Sequence, residues 1–470
     1  MTHLALLPSL DTRRSLGLAV AAPLLATAML FACAGPEAHE TPGPELSQRV
    51  QPLSAPNAVT DWSARAQAAI APGRGSGSAA YLQAMVQLAV YDAVVAIQGT
   101  YEPFNAGIAA VPGANLPAAV AAAARQVIRQ RVPSQAAAID AQYATYLAGI
   151  PDGESKTDGI TLGEAAAAGI ITARAGDNFG SNLPYVQPPI GPGVWEPTLP
   201  TAPVDYNLQF VIPFTSDSPA SFRPGPPPAL TSWRYAMDLL EVEALGRANS
   251  TVRTAQQLDV ARFWSESAFT LWTRGIRNLA IARGLDELEA ARLMAMTSLA
   301  AADTLISCWE AKYHYFAWRP VHAITRADTD GNPWTVADPT WTALLNQNHP
   351  EYPAGHACFG AAMVTALRRY FRSSFVSMSL DSTAAGLTSP VHQYERLAEI
   401  NDEVEGARIW AGVHFRHTLR VSRKLGETVA KHALHGRFHR LKDCQDLERD
   451  DSEDDQNGHD HGPRQEPERH

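Results

Sequence analysis

Cysteine is scarce in this chain of 470 residues: there are four, one of them inside an N-terminal apolar segment. The other three, Cys308, Cys358 and Cys444, cannot build a disulfide framework. Cys308 and Cys358 fall in apolar helical patterns and are expected as small core residues. Charge is thin as well, at 18% of residues. The net charge of −10 is concentrated at the C-terminus, where residues 443–470 hold 11 acidic and 3 basic side chains. The body is therefore nearly neutral, which leaves no electrostatic footprint for nucleic acid. Strand-like alternation is rare, which excludes a β-rich fold. Past the first thirty residues no apolar run is expected to reach membrane-spanning length, which makes the body soluble. Histidines are plentiful, but no His-Glu-x-x-His motif or carboxylate cluster accompanies them. A zinc or iron hydrolase using His414 and His417 with His349 or His356 is accordingly disfavoured.

What the chain does have is apolar helical pattern, within an apolar content of 46%. An all-α fold is the expectation, a helical bundle with an N-terminal helical layer. Residues 1–33 read as a signal peptide, with a basic Arg13-Arg14 and an apolar Leu16–Leu30 too short for a comfortable span. Leu30-Phe31-Ala32-Cys33 is similar to a bacterial lipobox, which would acylate Cys33. Simple secretion and an uncleaved anchor are the alternatives. The expected location is outside the cytoplasm, periplasmic or extracellular, with a lipid anchor if Cys33 is acylated. Residues 34–55 form a linker, 56–180 a helical layer, 181–231 a Pro-rich ordered connection, 232–440 a catalytic helical domain and 441–470 a disordered acidic tail. The tail's His459 and His461 are read as solvated. Within these regions helices are expected at Ser78–Gln98, Ala118–Arg131, Gln135–Leu147, Leu162–Ala175, Thr254–Arg283, Glu287–Trp318, Ala357–Phe371, Val391–Trp410 and Val421–His439.

Three segments carry chemistry. Lys312 and Arg319 are seven residues apart, close to two helical turns, so they are expected on one face at a helix end before Pro320. Flanked by aromatics, they suit a tetrahedral oxyanion. Pro353-Ala354-Gly355-His356 opens a helix, where unpaired N–H groups and partial positive charge attract anions. His356 on its first turn can exchange a proton near neutral pH. Arg408 and His414 lie about 120° apart on an ideal helix, so Gly412 between them is expected to end or bend it. Each segment alone is compatible with salt bridges and ordinary helix ends.

Together and in order, Lys-x6-Arg-Pro, Pro-x-Gly-His and Arg-x5-His resemble the signature shared by vanadium-dependent haloperoxidases and type-2 phosphatidic acid phosphatases. Ala89-Val-Tyr-Asp-Ala93, Pro226-Pro-Pro-Ala-Leu230 and Asp328-x-Asp330-Gly331-Asn332-Pro333 resemble the bacterial soluble haloperoxidase-like branch. The resemblance implies a helical bundle in which Lys312, Arg319, Arg408 and the Gly355 N–H bind the oxygens of vanadate or phosphate. It implies His414 as the ligand to vanadium, or the nucleophile toward phosphorus, and His356 as the acid/base. The implied function is oxidation of halide by hydrogen peroxide on histidine-bound vanadate, with an organic acceptor for the product. The alternatives are a soluble acid phosphatase acting on phosphate esters through phosphohistidine, and a non-catalytic relative. Two positions depart from the family pattern. Ala354 stands where the family usually has Ser, losing a hydroxyl donor of about 1.5–3 kcal/mol to a charged group. Thr418 stands where an Asp usually orients the second histidine, so a hydroxyl is expected to accept from the His414 ring instead.

Overall fold

The computed structural model describes residues 57–441. The signal-peptide, lipobox, linker and acidic-tail expectations, with Cys33, Cys444, His459 and His461, lie outside these residues.

The N-terminal helices are α1 (Ala58–Ile70), α2 (Ser76–Gln98), α3 (Leu116–Arg131), α4 (Ala136–Ala148) and α5 (Glu154–Ala173). Asn57 and Asn115 cap α1 and α3 by accepting from Thr60 N and Ala118 N, and Pro117 sits in the first turn of α3, where its missing N–H costs nothing. Alanine richness in α3 has a packing purpose. A Cβ on Gly163 of α5 would stand 2.2 Å from the Ala119 carbonyl oxygen, so the two helices touch backbone to backbone. Contrary to the sequence expectation, α2 does have the length and mean hydropathy (1.5) of a membrane span. Of its apolar 18-residue window 94% is instead buried inside the protein, against α3, α5 and the long helix α9 described next.

The second half holds α6 (Trp233–Gly246), α7 (Ala255–Phe263), α8 (Ala268–Ala282), α9 (Glu287–Tyr315), α10 (Pro320–Thr325), α11 (Gly355–Phe371), α12 (Leu397–Trp410) and α13 (Arg416–Leu434). A reciprocal Asp286–Glu289 capping box starts α9. Helices α9, α11 and α13 pack on one another, and one hydrophobic core runs from Ala58 to Phe438. The fold is mostly helical, as the sequence indicates.

Three expectations need correction. The helix placed at 254–283 is two helices, broken around Trp264–Ser267. The segment from Val391 is not helical at its start: β1 (Phe375–Asp381) and β2 (Val391–Arg396) pair as an antiparallel hairpin, with Met378 opposite Tyr394 and Leu380 opposite His392. Val376, Met378 and Leu380 alternate inward, a period-two signal of only three inward residues. Helix α9 stops at Tyr315, because Phe316 takes a left-handed conformation (φ 48°) and its N–H closes on the Lys312 carbonyl.

The Pro-rich stretch is ordered and laced to the bundle. Buried Asp303 of α9 accepts from Phe214 N (2.6 Å), Thr215 N (3.0 Å) and Thr215 Oγ1 (2.6 Å). Trp195 N donates to Phe316 O, and Trp318 N donates to Gly193 O. The stretch thereby grips the turn that leads from Lys312 to Arg319. It also holds the loop before α11, since Val204 N donates to Asn348 O.

Candidate active site

The chain turns between Lys312 and Arg319, so the two cations do not share a helix face as their spacing suggested. Arg319 is extended (φ −79°, ψ 159°) and precedes Pro320, which opens α10 rather than closing α9. Both side chains nonetheless converge on one loop, residues 348–354. The Lys312 Nζ donates to the carbonyls of Pro350 (2.8 Å), Glu351 (3.2 Å) and Pro353. Arg319 donates through Nε to His349 O (2.8 Å), and through Nη2 to His349 Nδ1 (2.9 Å) and Pro350 O (3.3 Å). Its Nη1 reaches Val413 O (2.8 Å) and His414 Nε2 (3.2 Å). Both cations are buried, and burial lowers the pKa of each, Arg319 to about 10.

Gly355 begins α11, whose first N–H groups have no partner within the helix. A Cβ on Gly355 would press to 3.1 Å from two ring atoms of Trp309, so the loop packs tightly against that indole. Ala354 is the N-cap, and its own N–H donates to Ser422 Oγ (2.7 Å). His356, on the first turn of α11, is half-buried, and its Nε2 lies 3.5 Å from Glu266 O. Burial, then Arg408, hold it well below the usual imidazole range, so it is neutral at pH 7.

Helix α12 ends at Trp410, and Gly412 (φ 75°) turns the chain, as its position suggested. The turn is tight because Gly412 and Gly246 abut: a Cβ on Gly412 would lie 2.4 Å from Gly246 O. Arg408 is fully buried, and of its donors only Nη1 has a partner, Trp264 O at 2.9 Å. Its Nε and Nη2 are buried without a hydrogen-bond partner among the described residues. Burial and Arg319 push its pKa down to about 9, which still leaves it charged at neutral pH.

His414 is 1% exposed. Its Nδ1 lies 2.9 Å from Glu351 Oε1, an oxygen that also accepts from Phe415 N (3.1 Å). Here the structure corrects the sequence reading of Thr418. The hydroxyl does not take the ring N–H; it donates to Glu351 Oε2 at 2.8 Å. While Glu351 is ionised its carboxylate only accepts, so the Nδ1 carries the proton and the lone pair sits on Nε2. Burial first, then Arg319, Lys312 and Arg408, keep the ring from charging. Burial pushes the Glu351 carboxyl up, and Arg319 pulls it back.

All six predicted site residues thus belong to one buried cluster, linked through loop 348–354 and through the charges of Arg319 and Arg408. Sequence reasoning gave no role to Glu351 and considered His349 only as a disfavoured metal ligand. Glu351 stands two residues before Pro353 and was open to notice as a carboxylate beside a helix start. His417 does not join His414: its Nδ1 lies 3.5 Å from Arg234 Nη1, and its ring lies parallel to Tyr352. Among the described residues no group of three His, Cys, Asp or Glu side chains is placed to hold a metal ion directly. Cys308 and Cys358 are buried free thiols, as expected.

A neutral imidazole, three buried cations and a helix N-terminus are the groups that attract a compact oxyanion, with Arg319 Nη1 at present on the His414 Nε2. Residues 292–441 match the family profile described as the VCPO second helical-bundle domain. The vanadium chloroperoxidase of Curvularia inaequalis is 29% identical over 150 residues, which cover 26% of this chain and 24% of that protein. The match thus spans about a quarter of the relative's length. The fold is similar to that of a bacterial vanadium-dependent iodoperoxidase, with TM-score 0.70 and 23% identity over 83% of this chain and 98% of the other. A holo-type bacterial vanadium-dependent chloroperoxidase aligns with TM-score 0.63 and 20% identity over 82% of this chain and 97% of the other.

Proposed function

Residues 292–441 are related to the second helical-bundle domain of vanadium chloroperoxidases and the chain has the vanadium haloperoxidase fold; from that premise we propose that it is a vanadium-dependent haloperoxidase. It oxidises halide with hydrogen peroxide, and the oxidised halogen passes to an organic acceptor. The observation that carries this reading is Arg408, a buried guanidinium with two N–H-bearing nitrogens unpaired. A native protein tolerates such donors where a ligand supplies the acceptors.

The residues present fit vanadate. His414 Nε2 would hold the vanadium, and Arg408 and the Gly355 N–H would bind its oxygens. Lys312 and Arg319 already spend their donors on carbonyls, His349 and His414 Nε2, so they act mainly through charge, and vanadate would displace Arg319 from Nε2. They also fasten the loop that carries Gly355. When bound, vanadate supplies a Lewis acid that activates hydrogen peroxide without changing oxidation state. His356, neutral and half-buried, accepts or returns a proton at the outer edge of the cluster. The reading of the first 33 residues as a signal peptide places this activity outside the cytoplasm, as part of the same proposal.

The test runs purified protein with orthovanadate, peroxide and each halide, in parallel with a chromogenic phosphate monoester. Vanadate-dependent halogenation is expected. Ester turnover inhibited by vanadate, without halogenation, would replace this reading with the phosphatase. A second prediction concerns Ala354. In Ala354→Ser the new hydroxyl caps α11, worth about 1 kcal/mol in thermal unfolding. If it also reaches the anion, vanadate binding tightens by about 1.5–3 kcal/mol, roughly tenfold or more. An unchanged dissociation constant would show that this position does not face the anion.

A further inference from the structure

We propose that Glu351 is the positioning residue for His414, a carboxylate supplied by the loop before α11 in place of one supplied by α13. The inference rests on the proposed vanadate site and identifies what aims its histidine. Phe415 is the N-cap of α13, so Thr418 is its third helical residue. An acidic side chain there can reach back to the N-cap N–H, which is how capping boxes close. In this chain Thr418 has no charge to offer. Glu351 accepts from Phe415 N instead, with the same oxygen that faces His414 Nδ1. Thr418 donates to the other oxygen, which stops the carboxylate from rotating.

The carboxylate is thus held at both oxygens, and Lys312 holds the residue's own carbonyl. Glu351 is 1% exposed, so water does not compete for its oxygens. The effect on the ring is geometric. An acceptor fixed at Nδ1 selects the tautomer with its lone pair on Nε2, the atom that would ligate vanadium, and fixes the ring plane. Placing the carboxylate on the loop has a second consequence. The loop that carries Gly355 and the histidine that would ligate the anion become one mechanical unit, although 63 residues separate Glu351 from His414.

The test uses the full chain in three forms: wild type, Glu351→Gln, and Glu351→Ala combined with Thr418→Asp. The Glu351→Gln change keeps the volume but not the charge, and the amide can turn either face to the ring. The double variant moves the carboxylate to the third residue of α13. One readout is orthovanadate affinity by calorimetry. Another, independent of vanadate, is the 15N signature of the His414 ring, assigned by its loss in His414→Gln. Wild type is expected to show a protonated Nδ1 and an unprotonated Nε2. Glu351→Gln should mix the tautomers and weaken vanadate binding ten- to a hundredfold. The double variant should recover both signals, which a merely structural role for Glu351 would not produce. A Glu351→Gln protein with wild-type tautomer and affinity overturns the proposal. So does a double variant that folds, by thermal unfolding, but recovers neither signal. If wild type binds no vanadate, the vanadate site fails, while the ring signature still decides the role of Glu351.

Discussion

His414→Ala is expected to abolish halogenation, with a loss on the order of a thousandfold or more, and to abolish vanadate binding with it. The size follows from the position of the ring. Its Nε2 is the one neutral lone pair set among Arg319, Lys312 and Arg408, whose charges all act on it. No other imidazole can take over. His356 is held near Glu266 O, and Arg319 sits closer on His349 Nδ1 (2.9 Å) than on His414 Nε2 (3.2 Å), the contact that vanadate would displace. Stability should fall as well, since the Glu351 carboxylate loses the ring N–H and keeps only Phe415 N and Thr418 Oγ1. A buried acceptor left short of a donor costs about 1–3 kcal/mol. Both effects are measurable on one preparation, by monochlorodimedone bleaching and by thermal unfolding. Retained turnover in a folded variant would move the site elsewhere.

Arg408→Met should produce opposite signs for stability and function. The guanidinium is buried near Arg319 with a single hydrogen bond among the described residues. Replacing a poorly compensated buried charge with an apolar side chain of similar length is often neutral or stabilising, by about 1–4 kcal/mol. Losing the donor to Trp264 O offsets part of that gain. The variant should therefore melt at or above the wild-type temperature when no oxyanion is present. Its affinity for vanadate, and for phosphate as a competitor, should fall by about 2.7–4 kcal/mol, which is a hundredfold or more. Vanadate should then raise the wild-type melting temperature and leave that of the variant unmoved. A variant that melts much earlier yet binds vanadate normally would make Arg408 a structural arginine.

Both predictions use residues that were visible as a pattern in the sequence. Lys312, Arg319, Gly355, His356, Arg408 and His414 stand out because anion chemistry restricts the residue types, and because Pro320, Gly355 and Gly412 mark helix boundaries. Their partners were less visible. The spacing of Lys312 and Arg319 suggested a shared face, but Phe316 in a left-handed turn ends α9 between them. They meet through carbonyls of a third segment, a contact that helical periodicity does not encode. The hairpin at 375–396 was missed because its alternation has only three inward residues and leads directly into α12. Helix α2 was not expected to reach membrane-spanning length, yet it does, and even its Gln83, Gln87 and Asp92 side chains are buried inside the protein core.

By itself the sequence determined the helical class, the order of the anion-binding segments and the residue types able to hold an oxyanion. These depend on local periodicity, on the conformational limits of proline and glycine, and on side-chain chemistry, all of which act over a few residues. Only the tertiary structure decided which donors are already spent and which remain free. It assigned Lys312 and Arg319 to loop carbonyls, left Arg408 with unpaired donors, and gave His414 a carboxylate from Glu351 rather than from its own helix. The physical reason is that hydrogen-bond partnership in a buried cluster is a matter of which groups arrive within about 3 Å of each other. That is set by how α9, α11 and α13 pack together, and no spacing along the chain records it.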